Sequence, residues 1–329
     1  MAWPVCAVSV MARLHVVYLP EPHIDQRHVI EAVGARHDLL VFDRNAPLEA
    51  QFQNADVVID SGGSVGTRAM LDAAQRVRLW QIMGSGYEHF DVDYWRARGV
   101  AVANCPGTAS APALAERALL FTLMLAHRYK DAEGNLHQGV MYEPLADELR
   151  GKLLGLIGFG ASGIAFAALA RAFGMRVAAV DIRTISDQEA AERGLEWRGT
   201  PEDIDDLLPM VDVLSVHLHL DERTRGIVDE RRLRLMKPSA FLINVARGPL
   251  VDEPALVAAL EEGRLAGAGL DVFSGEPLDL DSPLLRLPNV VATPHTAGHS
   301  GGTWRRRAMF CAANVDRVAA GLEPKCRIA

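Results

Sequence analysis

The chain has 329 residues, 49% of them apolar and 23% charged, with a formal net charge of -8. That length passes the ~250–300 residues at which a single core stops growing, so two domains are expected, and the acidic balance argues against a nucleic-acid or anionic-membrane surface. The four cysteines (Cys6, Cys105, Cys311, Cys326) show no CxxC spacing, which suggests neither a zinc site nor a disulfide framework and suits a reducing cytoplasm, and no apolar run approaches the ~20 residues of a membrane span.

Met1 to Val10 is mildly apolar, too short for a signal peptide and without its basic start, and Met11 opens a better-patterned segment. The next hundred residues repeat a unit of short apolar run, polar loop and helical stretch. Strands are expected at Leu14–Leu19, Leu39–Phe42, Asp56–Asp60, Leu79–Met83 and Val100–Ala103, with helices at His23–Val33, Thr67–Ala74 and Val92–Arg98. Strands separated by helices argue for a parallel sheet with right-handed crossovers. Between them, Gly62-Gly63-Ser64-Val65-Gly66 mimics a phosphate loop but lacks its GK[ST], and it reads equally as a simple strand-to-helix turn.

Ala111 to Ala132 is rich in Ala and Leu and apolar around most of its circumference, so it reads as one long, buried connecting helix. Gly134, Gly139 and Pro144 then interrupt the pattern. From Leu153 the strand-helix rhythm restarts. Strands are expected at Leu153–Ile157, Val177–Val180, Leu195–Trp197, Val211–Val216, Ala240–Val245, Gly267–Leu270 and Val290–Ala292, and helices at Ile204–Leu208 and Pro254–Glu262. A last helix spans about Trp304 to Ala320, approached through Ser300-Gly301-Gly302-Thr303 with hydroxyls available as caps. The arginine runs Arg231–Arg232 and Arg305–Arg307 fall on helical segments and read as solvated faces or dimer contacts.

The restart carries the clearest chemical signal, LLGLIGFGASG at Leu153–Gly163. A strand, a tight glycine turn, a helix, a second strand and a terminal acid follow within about 30 residues, the layout that binds a dinucleotide. Gly158 permits the tight turn, Gly160 lets the backbone approach a pyrophosphate, and Gly163 lets the helix pack on the sheet. Ala161 and Ser162 open the helix whose amino terminus favours phosphate. Asp181, at the end of the next strand, can accept both ribose hydroxyls and repel a 2′-phosphate, so the cofactor is expected to be NAD; Arg183 is the nearby guanidinium through which such a site could tolerate NADP.

Three polar residues then follow three successive strands: Arg247 in Asn244-Val245-Ala246-Arg247-Gly248, Glu276 in Asp271-Val272-Phe273-Ser274-Gly275-Glu276-Pro277, and His295 in Thr293-Pro294-His295-Thr296. Ligands of open α/β sheets bind beyond the carboxyl ends of strands, so the three can converge on the cofactor crevice. A guanidinium fork binds a carboxylate bidentately. An imidazole exchanges the proton of an alcohol or ketone while hydride moves at the nicotinamide. A carboxylate on the other ring nitrogen fixes the tautomer and favours the imidazolium needed to reduce a ketone. His217 and His219 form an HxH after the Val211–Val216 strand, but a metal reading lacks a third ligand, so no metal is expected.

These motifs together resemble the D-isomer-specific 2-hydroxyacid dehydrogenase family over about residues 50 to 320. The matching pieces are Gly84-Ser85-Gly86-Tyr87-Glu88-His89-Phe90-Asp91-Val92-Asp93, Asn104-Cys105-Pro106-Gly107, GLIGFGASG, Ser215–Leu220, Met236–Leu256, Gly269–Pro277 and Thr293–Gly298. The resemblance implies an α/β protein of two Rossmann-like or flavodoxin-like parallel-sheet domains. The NAD-binding domain (111–298) would be inserted into a substrate domain built from 1–110 and a return helix in 299–329. It also implies a cytoplasmic homodimer whose connecting helices contribute to the interface. His295 corresponds to the family's acid/base, Glu276 to its partner and Arg247 to its carboxylate clamp. Ser85 and Gly86 match the loop whose amides hold the substrate carboxylate, and His217, Ala246 and Asp271 fall on cofactor-side positions, Asp271 near the nicotinamide carboxamide. Formate dehydrogenases of the superfamily pair the histidine with glutamine, and Glu276 argues against that branch. Tyr87-Glu88-His89, Thr108-Ala109-Ser110 and Trp304 depart from the commonest family forms and bear on substrate identity.

The implied function is a 2-keto acid reductase acting on a small 2-keto or 2-hydroxy acid. Glyoxylate, hydroxypyruvate and branched 2-keto acids fit. 3-Phosphoglycerate ranks second, because the first hundred residues show no obvious basic cluster for a phosphate. The family's corepressors, which keep the fold and NAD binding but act as interaction proteins, are the alternative of another class.

Overall fold

The computed structural model describes residues 12–22, 26–62 and 66–329. The chain divides into two compact units, one running to Ala109 and resuming at Ser300, the other comprising Ser110–His299.

In the first unit the strands β1 (His15–Leu19), β2 (Asp38–Val41), β3 (Val57–Asp60), β4 (Leu79–Ile82) and β5 (Ala101–Ala103) alternate with the helices α1 (Arg27–Gly34), α2 (Leu48–Phe52), α3 (Arg68–Ala73) and α4 (Val92–Arg96). All pairings are parallel, in the order β2-β1-β3-β4-β5. β3 and β4 are buried along their whole length, as expected of a parallel sheet covered on both faces. One face packs on a cluster holding Trp80, Phe90 and Trp95. The other packs on the C-terminal helix, Gly301–Ala319, through Trp304, Ala308, Cys311 and Val315. That helix is also pinned by a buried imidazole. His37 Nδ1 accepts the Leu14 amide (3.3 Å) while its Nε2 meets Asp316 Oδ1 (2.9 Å), which joins chain segments almost 280 residues apart.

The second unit begins with α5 (Ala111–Ala126) and α6 (Tyr129–His137) and continues β6 (Leu153–Ile157), α7 (Ala161–Ala172), β7 (Arg176–Val180), α8 (Asp187–Arg193), β8 (Trp197–Gly199), α9 (Ile204–Leu207) and β9 (Val213–Val216). It closes with α10 (Glu230–Leu233), β10 (Phe241–Asn244), α11 (Glu253–Glu261), β11 (Gly267–Leu270) and β12 (Val290–Ala292). The seven strands are parallel in the order β12-β11-β10-β9-β6-β7-β8. The chain winds outward from β6 to β8 and then returns to β9 on the opposite side of β6. The β6/β9 boundary is therefore the topological switch point, the place where open sheets of this kind bind ligands. One apolar cluster fills each face, with Phe121, Phe159 and Phe166 on one side and Leu214, Leu242 and Leu256 on the other.

Several sequence expectations need correction. The single helix expected over Ala111–Ala132 is two. α5 ends at Ala126, and Arg128 takes a left-handed conformation (φ 47°) before α6 starts. A non-glycine residue there costs roughly 1–2 kcal/mol, so the Ala/Leu propensity of the segment carries no sign of the break. The turn is held by tertiary bonds: Lys130 Nζ donates to the carbonyls of Leu287 (3.2 Å) and Val290 (3.0 Å). α5 is buried as expected, but α6 has no buried residue. The C-terminal helix starts at Gly301 rather than Trp304, because Ser300 caps it by accepting the Thr303 amide. The strand expected at Leu195–Trp197 lies two residues on, as β8. α2, α8 and α10 are short helices that the sequence pattern does not mark. The first residues of the helix expected from His23, residues 63–65 of the glycine-rich turn and Met1–Val10 lie outside the described residues. Of that turn, Gly66 is described: a Cβ there would stand 2.4 Å from Trp80, so it is required by packing.

Candidate active site

The glycine turn is built as its spacing predicts. Gly158 has φ 97°, and a Cβ on it would lie 2.4 Å from the His217 carbonyl oxygen across the switch point. A Cβ on Gly163 would lie 2.4 Å from the Gly158 carbonyl oxygen, which fixes how closely α7 follows β6. Gly160, by contrast, is exposed and its Cβ would meet nothing within 4 Å. The open space over Gly160, beside the first amides of α7 at Ala161, Ser162 and Gly163, is a cradle that a pyrophosphate can enter and a side chain would fill.

The end of β7 turns back to this cradle. Asp181 Oδ2 accepts the Phe159 amide (2.5 Å) and its Oδ1 accepts the Arg183 amide (2.9 Å). A carboxylate offers about four lone-pair sites, so acceptor capacity remains for ribose hydroxyls. Arg183 donates to the Phe159 carbonyl (2.7 Å) and pairs with both oxygens of Glu189 (2.7 and 2.8 Å). Across the switch point, His217 Nδ1 meets Ser162 Oγ and its Nε2 meets Ser215 Oγ, each at 3.0 Å. Burial of this ring pushes its pKa down to about 4, so the imidazole is neutral at physiological pH. His219 is exposed, and no group of three or more His, Cys, Asp or Glu side chains among the described residues could hold a metal.

Arg247, Glu276 and His295 lie beyond β10, β11 and β12, respectively. His295 Nδ1 and Glu276 Oε2 are 2.6 Å apart. Glu276 Oε1 accepts the Phe273 amide (3.1 Å). Burial alone would raise the Glu276 pKa, but the His295 and Phe273 hydrogen bonds and the charges of His295 and Arg247 outweigh it and hold the carboxyl below its usual range. Arg247 is therefore close enough to act on Glu276 electrostatically. Its Nη1 donates to the Ala246 carbonyl (2.7 Å).

Two supports escaped the sequence reading. Asn244, buried at the end of β10, donates from Nδ2 to the Arg247 carbonyl (2.8 Å) and accepts the Ala246 amide at Oδ1 (3.0 Å). An asparagine ending an otherwise apolar strand two residues before a turn was the available signal. Asp271, expected near the nicotinamide, places both carboxylate oxygens on the turn that carries His295. Oδ1 accepts Thr293 Oγ1 (2.5 Å) and the Thr296 amide (2.9 Å), and Oδ2 accepts the Ala297 amide (2.7 Å). The His295 amide donates to the Asp271 carbonyl (2.8 Å), and His295 is held at φ 52°. Such a conformation costs on the order of 1–3 kcal/mol and persists where its surroundings over-determine it, commonly at functional sites.

In the first unit, Ser85 and Gly86 follow β4 on a loop whose start is anchored to the segment after β5. The Cys105 amide donates to the Gly84 carbonyl (2.9 Å) and Asn104 Nδ2 to the Ser85 carbonyl (2.7 Å).

Comparisons with known proteins agree with this fold. Residues 119–297 match the family model described as D-isomer specific 2-hydroxyacid dehydrogenase, NAD binding domain. The chain is 36% identical over 286 residues to a glyoxylate/hydroxypyruvate reductase B of Yersinia enterocolitica, covering 85% of each chain. It is 35% identical over 309 residues to a glyoxylate reductase of Aeropyrum pernix, covering 90% of each. Among solved structures, a D-lactate dehydrogenase of Aquifex aeolicus complexed with NAD and lactic acid superposes with a TM-score of 0.78 at 28% identity, over 93% of this chain and 96% of that one.

Proposed function

Since the chain belongs to the D-isomer specific 2-hydroxyacid dehydrogenase family and is an NAD-dependent oxidoreductase, we propose that it reduces a small, unphosphorylated 2-keto acid of the glyoxylate or hydroxypyruvate type. The observation that carries this reading is the 2.6 Å pair of His295 and Glu276 within the field of Arg247. Glu276 engages Nδ1 and leaves Nε2 as the ring atom that exchanges the proton of the substrate oxygen. With NADH bound, the hydride for the keto carbon comes from its nicotinamide. Arg247 provides a planar fork for the substrate carboxylate, and its position is set from below by Asn244. The amides of Ser85 and Gly86 are assigned to that carboxylate on the loop motif alone.

The choice of an unphosphorylated acid is supported by the arginines of the first unit. Arg68, Arg96 and Arg98 each pair with an aspartate within that unit, and Arg76 and Arg78 share Asp56, so most of their charge is compensated rather than offered to a phosphate. The names of the reductase relatives point the same way.

We also infer a cytoplasmic homodimer. Among the described residues no helix is long and apolar enough to cross a membrane. α6 and the segment after it expose Leu136, Met141, Tyr142 and Leu145, the last two at 99% and 90%. A run of large apolar side chains this exposed is costly in water and fits a second copy of the chain, in line with the connecting-helix interface that the family resemblance implies.

The test is a substrate panel of glyoxylate, hydroxypyruvate, pyruvate and 3-phosphohydroxypyruvate with NADH and with NADPH. Turnover should be highest with one of the first two and NADH. Tight NADH binding without turnover on any acid would sink the reductase reading, and a clear preference for the phosphorylated acid would sink the substrate assignment.

A further inference from the structure

The cation best placed to accept NADP is already engaged. Arg183 sits two residues beyond Asp181, its backbone amide on the Asp181 carboxylate, and its guanidinium spans from the Phe159 carbonyl in the glycine turn to both carboxylate oxygens of Glu189. Glu189 lies in the first turn of α8, where its amide donates to the capping Ser186 Oγ (3.1 Å). It is therefore held by a helix end and is no freely swinging surface acid. The fork-to-fork pairing is the geometry a guanidinium would use toward a phosphate, and one fork cannot serve both. Asp181, Arg183 and Glu189 together carry a net charge of -1 (-1, +1 and -1) beside the glycine turn. A 2′-phosphate would meet a cluster of its own sign.

We propose that Glu189 is a cofactor-selectivity residue: by pairing bidentately with Arg183 it withholds from a 2′-phosphate the guanidinium beside Asp181, and so holds the chain to NAD over NADP. The proposal deepens the NAD assignment and rests on it. Glu189 acts through Arg183, so it is a positioning residue, and its removal should matter for one nucleotide only. Freed of its partner, the guanidinium can turn to a phosphate, and the cluster charge rises from -1 to 0 in a Glu189→Gln variant.

The experiment is a fluorescence titration of the full chain with NADH and NADPH, with adenosine 2′,5′-bisphosphate and 5′-AMP as competitors. Glu189→Gln should tighten NADPH about tenfold and leave NADH within about twofold, with the same split between the two competitors. The gain should vanish in Glu189→Gln/Arg183→Gln. In the Glu189 background, Arg183→Gln alone should barely move the NADPH/NADH ratio, because the arginine is already withheld. Asp181→Ala should relax the preference for NADH, and should gain less NADPH affinity than Asp181→Ala/Glu189→Gln. An unchanged ratio in Glu189→Gln, a gain that survives loss of Arg183, or equal weakening of both nucleotides would each overturn the proposal. Failure of the unaltered chain to bind NADH would overturn the cofactor assignment itself. The Arg183→Gln arm remains decisive if Glu189→Gln does not fold.

Discussion

Gly248 and Phe273 are packed so tightly that a Cβ on the glycine would stand 1.9 Å from the Phe273 carbonyl carbon and oxygen. Gly248 directly follows Arg247, and the Phe273 amide donates to Glu276, so this contact bears on the spacing between Arg247, the proposed carboxylate clamp, and Glu276, the partner of His295. Neither backbone can yield without moving its functional side chain. Gly248→Ala should therefore destabilise by about 1–3 kcal/mol, the usual cost of overpacking, and lower kcat/KM by about tenfold or more. NADH affinity, set at the glycine turn, should change little. An unaltered kcat/KM for Gly248→Ala in steady-state assays would disprove this coupling.

His295→Ala should lower kcat by ~100-fold or more, the span of general acid–base catalysis. Arg247→Ala should act mainly on substrate, raising KM and leaving NADH titrations unchanged. Steady-state kinetics on the best acid of the panel separate the two roles. If Arg247→Ala leaves kcat/KM intact, the clamp assignment is wrong.

Asp271 is 1% exposed and accepts three hydrogen bonds from the His295 turn. Asp271→Asn keeps the size but turns an acceptor into a donor facing amide N–H groups. The expected loss is about 2–4 kcal/mol, from bonds to a charged group worth about 1.5–3 kcal/mol each, with a fall in kcat as the histidine loses its fixed place. Thermal unfolding gives the first quantity directly, and a melting temperature equal to that of the unaltered chain would contradict the structural role.

The neutral, half-buried His217 makes stability depend on pH. Its folded pKa of about 4 lies below the ordinary 6.5, so on acidification the unfolded chain takes up the proton first. The contribution is complete above 6.5 and declines as pH falls toward 4, by up to about 3 kcal/mol. His217→Gln removes this ionisation. Its melting temperature should fall less steeply over that interval, and identical slopes would exclude His217 as the group responsible.

The exposed apolar run after α6 predicts the assembly state. Tyr142→Glu combined with Leu145→Glu should shift the particle from dimer to monomer in sedimentation velocity. A monomer before substitution would refute the interface.

Much of this was legible in the residues themselves. Alternating apolar runs and helical stretches located the strands to within one or two residues. The glycine spacing at 158–163 specified a turn whose conformation only glycine tolerates. The positions of Arg247, Glu276 and His295 after successive strands followed from the rule that parallel sheets present ligands at their carboxyl ends. Such features are local, because periodicity and steric permission act over a few neighbouring residues. What the tertiary structure decided is non-local. The left-handed break at Arg128 is held by carbonyls about 160 residues away. The Asn244 and Asp271 brackets depend on which turns happen to face a strand end. The capture of Arg183 by Glu189 depends on how α8 folds back onto the glycine turn. Hydrogen bonds and ion pairs of this kind are set by angles and distances between separate elements, and no spacing along the chain encodes them.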